Sequence, residues 1–442
     1  MPVPNFVAYK WSVGTTDEGY GTTLGADGMA AYRAGLARLQ RMDGGYAQAF
    51  RAAADADPGA CLPHIALALV GAGTPGIDVT AHLRAAKATG AAGDERERSL
   101  AGIATTRAAS GQLTVEPLAV RHLARWPRDV LALSVLVPVM SWSGRPGAVE
   151  ELNALVEQVW RQAGPSWWHD GLLAFVRQEQ GRLDEAAELA DRSFAVEARA
   201  GHAAHARAHV HYETGDHAAG HAWLGAWSAA LDADSPYAGH LSWHLALHEL
   251  AGGDVDAARE RWAKDLAPGR LGAAAGFREV IDGGSLLWRL RLRGAALDEA
   301  AADEHAADRT AELARALLSA PQAFLLLHVA LAAAAASDTG LLEDLLAGLA
   351  GGAPYVRELI EPVAVALGAL VEGRPGEAAD ALERLGGEVH RFGGSRAQRD
   401  VIEETRLAAL LGAGRADQAR ALLRQRLDRR PSPADSALLA SS

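Results

Sequence analysis

Neutral imidazole is a proton acceptor near physiological pH and a common ligand for zinc, copper and iron. Nine of the 16 histidines in this chain fall between His202 and His248. His202, His205 and His209 recur at i, i+3 and i+7, and Glu213 follows four residues on, so a helix places all four on one face. His240, His244 and His248 form a second stripe at i, i+4 and i+8. Two chemistries suit these residue types. Three imidazoles, with His205, His209 and His244 as the candidates, and a carboxylate could hold a divalent metal with one position left open for water. Alternatively, His205, His209, His244 and Glu213 could act as general base and acid on a bound ligand. The plain alternative is a set of polar residues lining a wet groove or satisfying buried backbone groups. No His-Glu-x-x-His, paired Glu-x-x-His or Cys-x-x-Cys motif singles out the metal reading. If the histidines are solvated, their charge changes sharply between about pH 7 and pH 5.

Further candidates for a shared ligand site are His169-Asp170, His202, His240, Trp243, His248, His328, Arg399 and Asp400. Trp243 beside His244 could wall a groove with its aromatic face, although ordinary packing is the readier explanation. His328 lies in an otherwise apolar run, where a histidine is usually a satisfied core residue; His64 is read the same way. His217 and His221 suit a packed or solvated face better than a ligand site. Ser395 with Gln398 three residues later is a capping-box pattern that explains a helix start without function. Arg399 could then clamp an anionic ligand against the histidines, if the C-terminal helices approach the middle ones.

The elements that position these residues are punctuated by short glycine turns. Gly181, Gly215, Gly253, Gly373 and Gly414 each end an apolar-periodic stretch and precede an alanine-rich one. Gly181 to Gly215 spans 34 residues, the tetratricopeptide period, and other intervals are longer. Asp184 and Asp254 are placed to cap the second helix of their hairpins, and Ala186, Ala219 and Ala258 to permit close helix packing. The stripes at His202–His209 and His240–His248 then lie on the first helices of consecutive hairpins, whose neighbouring axes sit about 8–10 Å apart. The expected fold is all-α: one right-handed α-solenoid of about eleven tetratricopeptide-like helical hairpins over residues 1–442. Residues 1–24 are expected to be irregular and residues 431–442 a short tail. First helices should line a groove that deepens into a cavity.

Composition narrows the function classes. The chain carries a formal charge of −12 without a basic block, which argues against nucleic acid as partner. Cys61 is the single cysteine, so neither an intrachain disulfide nor a cysteine-based zinc site can form. The N-terminus lacks a basic region followed by an apolar core, and the apolar run Ala323–Ala336 falls short of a bilayer span. A cytoplasmic protein with no membrane partner is the expectation, and a homo-oligomer stays open. Gly71-Ala72-Gly73-Thr74-Pro75-Gly76 satisfies G-x-G-x-x-G but lacks the strand such a dinucleotide loop needs; a hairpin turn explains it better.

Seven segments carry a resemblance to a known family. They are ADPGACLPHIALALVGAG (56–73), WWHDGLLAFVRQEQGRLDEA (167–186), HARAHVHYETGD (205–216) and GHLSWHLALHELAGGDVDAA (239–258), followed by GGSLLWRLRLRG (283–294), FLLLHVALA (324–332) and GGSRAQRDVIEETRLAALL (393–411). Together they resemble the tetratricopeptide repeat protein 38 family, which implies a helical-repeat fold and no stated biochemical role. Where that family tends to carry His-Asp before an aromatic pair, this chain has Pro138-Val139-Met140-Ser141-Trp142. The first functional expectation is a small molecule or peptide bound in a His/Glu-lined cavity. The second is an enzyme using His205, His209, Glu213 and His244 with a divalent metal or by acid–base chemistry, and the third a protein-assembly scaffold. An enzyme requires three or more of these side chains to converge; a pure scaffold leaves them dispersed.

Overall fold

The computed structural model describes residues 19–20, 22–71, 76–89, 94–110, 115–232, 234–271, 277–295 and 306–442. The described residues are all-helical, with no strand among them, consistent with a helical repeat. By packing, the chain divides into two compact units, residues 1–39 with 45–136 and residues 40–44 with 137–442. No helix among the described residues is long and apolar enough to cross a membrane.

The helices run α1 Ala26–Arg41, α2 Tyr46–Ala56, α3 Leu62–Gly71, α4 Val79–Thr89, α5 Glu95–Ser110, α6 Glu116–Arg125 and α7 Val130–Ser141. Next come α8 Ala148–Ala163, α9 Trp167–Glu179, α10 Leu183–Val196, α11 Gly201–Thr214, α12 His217–Ser228, α13 Ala238–Gly252 and α14 Val255–Arg261. Then follow α15 Ser285–Leu292, α16 Ala306–Arg315, α17 Ala323–Ala335, α18 Thr339–Gly348 and α19 Pro354–Val371. The chain closes with α20 Pro375–Glu383, α21 Arg396–Gly412, α22 Ala416–Arg429 and α23 Pro433–Ser441. Two π-helical segments, Trp262–Leu266 and Glu279–Gly284, follow α14 and precede α15.

In the first unit a buried ion pair joins α5 to the start of α7. Arg96 Nε donates to Asp129 Oδ2 at 2.7 Å, and His122 Nε2 lies 3.2 Å from the same oxygen. Burial alone would raise the Asp129 pKa, but Arg96 and His122 hold it well below the carboxylate range. His64 is half-buried and faces His82, with Nδ1 atoms 3.2 Å apart.

The second unit carries every candidate site residue. Gly215 and Gly253 end α11 and α13 in the left-handed region, at φ 76° and 91°. The amide of Asp216 reaches back to the His211 carbonyl and that of Asp254 to Glu249, closing both helices in Schellman turns. Asp254 then caps α14 by accepting from the Ala257 amide at 3.0 Å. Asp184 does not cap; it sits inside the first turn of α10, where only its charge favours the helix dipole. Ala186 and Ala258 are fully buried, whereas Ala219 is exposed. Gly220 makes the close approach instead, since a Cβ there would stand 2.6 Å from both His211 Cβ and His248 Cε1. The apolar run forms α17 and is buried along its whole length.

As expected, α11 packs against both α9 and α13, so the two histidine-bearing helices are neighbours. The C-terminal helices also reach the middle ones: α21 packs on α15 and α23 on α13. Arg289, fully buried on α15, donates to Glu404 Oε1 at 3.2 Å and to the Ala397 carbonyl at 2.9 Å on α21. Residues 431–442 are therefore no tail. Ser432 caps α23 and its hydroxyl donates to the Ala251 carbonyl, because a helix with one packed side gains more than a frayed end. At the other terminus, Gly19–Leu24 is irregular where described, and residues 1–18 and 21 lie outside the described residues, as do Ala72–Pro75 of the glycine-rich turn.

Candidate metal centre

His205 and His209 on α11 meet His240 and His244 on α13. The Nε2 atom of His205 stands 3.1 Å from that of His209, 3.0 Å from that of His240 and 3.1 Å from that of His244. The ligand atoms of His205, His240 and His244 all lie within 4.8 Å of one another. A neutral imidazole nitrogen offers one proton or one lone pair, so His205 Nε2 can satisfy at most one of three such neighbours. Nitrogens 2.0–2.1 Å from a zinc-sized ion stand about 3.0 Å apart at right angles and about 3.4 Å apart at the tetrahedral angle. The three distances from His205 Nε2 lie close to the lower of these values, which is also hydrogen-bond range.

The surroundings fix the rings in that arrangement. His240 Nδ1–H donates to Asp282 Oδ1 at 2.9 Å, because a carboxylate accepts, and this turns the His240 Nε2 lone pair toward the cluster. Trp243 stacks on the His240 ring at 5.5 Å between centroids, and Phe175 of α9 stacks on His205 at 5.0 Å. Asp282 comes from the π-helical turn Glu279–Gly284, which is wedged against its counterpart Trp262–Leu266. A Cβ at Gly283 would lie 2.8 Å from the Leu266 carbonyl oxygen, and Trp262 Nε1 donates to the Gly283 carbonyl at 3.0 Å. Such π-turns often occur at functional sites.

Burial keeps His202, His205, His209 and His244 neutral. It pushes the His209 pKa down to about 3 and His202 to about 4, and it lowers His205 and His244 well below the ordinary value. The solvated switch between pH 7 and 5 expected for the stripes is therefore absent from these four, since desolvation disfavours the imidazolium. Unprotonated imidazole is the form that binds metal.

The remaining candidates lie elsewhere. Glu213 is buried on α11, and among the described residues neither of its oxygens has a hydrogen-bond partner. It faces Arg430 and Arg396 at 3.7 and 3.9 Å, not the imidazoles. Burial, then Asp400, raises its pKa to about 7 against the pull of Arg430 and Arg396. Asp400 is engaged by Arg430 and by Arg429 at 3.3 Å, so it is structural. Arg399 does not reach the histidines; it binds Glu179 Oε2 of α9 at 3.0 Å and the Gly394 carbonyl at 2.6 Å. His169 pairs with Ser166 Oγ at 2.7 Å, and Asp170 takes Trp160 Nε1 at 2.7 Å and Arg192 Nη2 at 2.6 Å; both organise the start of α9.

Trp243 is no groove wall: it is 1% exposed, within the core. His248 Nδ1 faces His217 Nδ1 at 3.2 Å, and His217 donates from Nε2 to the Pro431 carbonyl at 3.0 Å, so His217 is packed, not solvated. His221 is half-buried and pairs with Glu249 at 2.9 Å. His328 donates from Nδ1 to the Phe324 carbonyl at 2.7 Å, which leaves Nε2 as an unpartnered acceptor in the core. His202 meets Trp168 edge-on at 6.0 Å. Sequence reasoning missed Asp282, Phe175 and Glu179; the Asp-Gly-Gly preceding an apolar helix was the one available signal for the first. No family model matches the chain.

Proposed function

We propose that this protein is a tetratricopeptide-like helical repeat that holds one divalent transition-metal ion and acts through it on a small molecule. His205, His240 and His244 are the ligands, His209 is a fourth imidazole at the same point, and Asp282 is the outer partner of His240. The observation that carries this reading is the approach of three imidazole nitrogens to His205 Nε2 at 3.0–3.1 Å. A shared cation turns three contacts, of which hydrogen bonding can satisfy one, into ligand neighbours; a protein without one would leave buried lone pairs opposed.

A bound ion of this kind supplies Lewis acidity and can lower the pKa of bound water. The chain's own residues supply neutral imidazoles, a fixed His240 tautomer and aromatic walls that exclude bulk water. The acid–base reading with Glu213 has less support, since that carboxyl faces arginines. Convergence also disfavours the pure scaffold, in which no such meeting of side chains is needed. The finer assignments, a right-handed superhelix of about eleven hairpins, kinship with the tetratricopeptide repeat protein 38 family and a cytoplasmic setting, belong to the same proposal and rest on the repeat spacing and the quoted segments.

Equilibrium dialysis of untagged protein against zinc, cobalt, iron(II) and manganese tests it. Binding of about one equivalent, lost in His205→Ala, is the expected result. Less than about a tenth of an equivalent of every metal would sink the proposal.

A further inference from the structure

The segment that supplies Asp282 begins at a cation with no ion-pair partner among the described residues. Arg278 directly precedes the π-helical turn and stands four residues before Asp282. Asp282 is engaged by His240. The Arg278 guanidinium instead lies over aromatic faces, 4.5 Å from the Tyr237 ring centroid and 5.7 Å from that of Phe277. Its side chain makes no ion pair or hydrogen bond among the described residues and is half-buried. Stacking occupies the face of the guanidinium and leaves its in-plane N–H donors free. Tyr237 immediately precedes α13, three residues before His240, so the stacked pair is anchored at the same end of the helix as the first α13 ligand.

We propose that the ligand binds through an oxyanion, a carboxylate or a phosphate-type group, held between the metal at His205, His240 and His244 and the Arg278 guanidinium. The inference rests on the metal reading and adds the substrate class to it. In a chain with 55 acidic and 43 basic residues, acidic partners for an arginine are abundant. Arg278 has none among the described residues, and it is the charge that a metal-bound anion would meet next. Planar oxyanions match the guanidinium fork, which offers two parallel donors. Phe175 against His205 and Phe277 beside Arg278 supply apolar faces for the body of such a ligand.

The test uses full-length, untagged protein loaded with cobalt(II), whose visible bands report ligands entering its coordination shell. Acetate and inorganic phosphate are titrated separately into wild type, Arg278→Gln and Arg278→Lys. Saturable band changes are expected in wild type, with anion affinity reduced at least about tenfold in Arg278→Gln and partly restored in Arg278→Lys. The starting cobalt spectrum should be the same in all three. Tighter binding of phosphate than acetate assigns a phosphate-bearing ligand, and the reverse order a carboxylate. Equal anion affinity in wild type and Arg278→Gln, or no band change with either anion, overturns the inference while leaving the metal site standing. Failure of cobalt to give a bound spectrum at all overturns the metal reading first.

Discussion

Replacing Asp282 by alanine separates the support of a metal ligand from the ligands themselves. The 2.9 Å bond from His240 Nδ1 to Asp282 decides which His240 nitrogen faces the cluster and how the ring is turned. Without it the imidazole can adopt the wrong tautomer, and outer partners of this kind contribute about 10–100-fold to metal affinity. That corresponds to about 1.4–2.7 kcal/mol. The fold should lose little in comparison. Among the described residues Asp282 Oδ2 has no hydrogen-bond partner, so losing this buried unsatisfied acceptor offsets part of the cost of leaving His240 Nδ1 unpaired. Asp282→Asn keeps the volume and one oxygen able to accept from Nδ1, and is expected between wild type and alanine. The assay is competition with a chromogenic zinc chelator near neutral pH. His390→Gln is the control for simple loss of a histidine, because His390 is exposed and bonds only the nearby Gly387 carbonyl. An Asp282→Ala protein that is folded and binds zinc within about twofold of wild type would refute the argument that this carboxylate orients a ligand.

Three other outcomes follow from the same structure. Glu213 has a folded-state pKa raised to about 7, so between its unfolded value and pH 7 the native state holds the extra proton and stability falls as pH rises through that window. Glu213→Gln should therefore stabilise the protein at pH 8, by up to roughly 3 kcal/mol, with the gain vanishing near pH 4; melting curves showing a pH-independent difference would contradict this. Burial, then the charge of Glu97, pushes the Cys61 thiol up to about 12, so the native protein should resist thiol reagents at pH 8 and react only on unfolding. Stoichiometric labelling of the folded chain would contradict that. Arg289→Ala removes a fully buried cation and leaves Glu404 with Arg293 as its remaining close partner, so urea unfolding should show a loss of about 3–5 kcal/mol. A loss below about 1 kcal/mol would mean the α15–α21 contact does not depend on the pair.

The histidine helices were legible because helical period and glycine punctuation are local. Spacing at i, i+4 put His205 with His209 and His240 with His244 on single faces, and the Gly215 and Gly253 turns made α11 and α13 first helices of adjacent hairpins. Ser395 and Gln398 form the capping box that their types and spacing indicated. Asp282 was not legible. It belongs to a π-helical turn, where the register departs from the 3.6-residue period on which face assignments rest. Nor can local pattern foresee that Arg399 is held by Glu179, 220 residues earlier in the chain. The expected charge switch of the histidines failed for a related reason: burial lowers their pKa values, and burial depends on helices far apart in sequence.

The central claim is that His205, His240 and His244 share one ion, and anomalous diffraction from crystals grown with zinc or cobalt tests it most directly. A single strong peak is expected at the absorption edge, about 2.0–2.2 Å from the Nε2 atoms of all three histidines. A metal-replete crystal with no peak there, and a water or bare nitrogen contacts in its place, would contradict it.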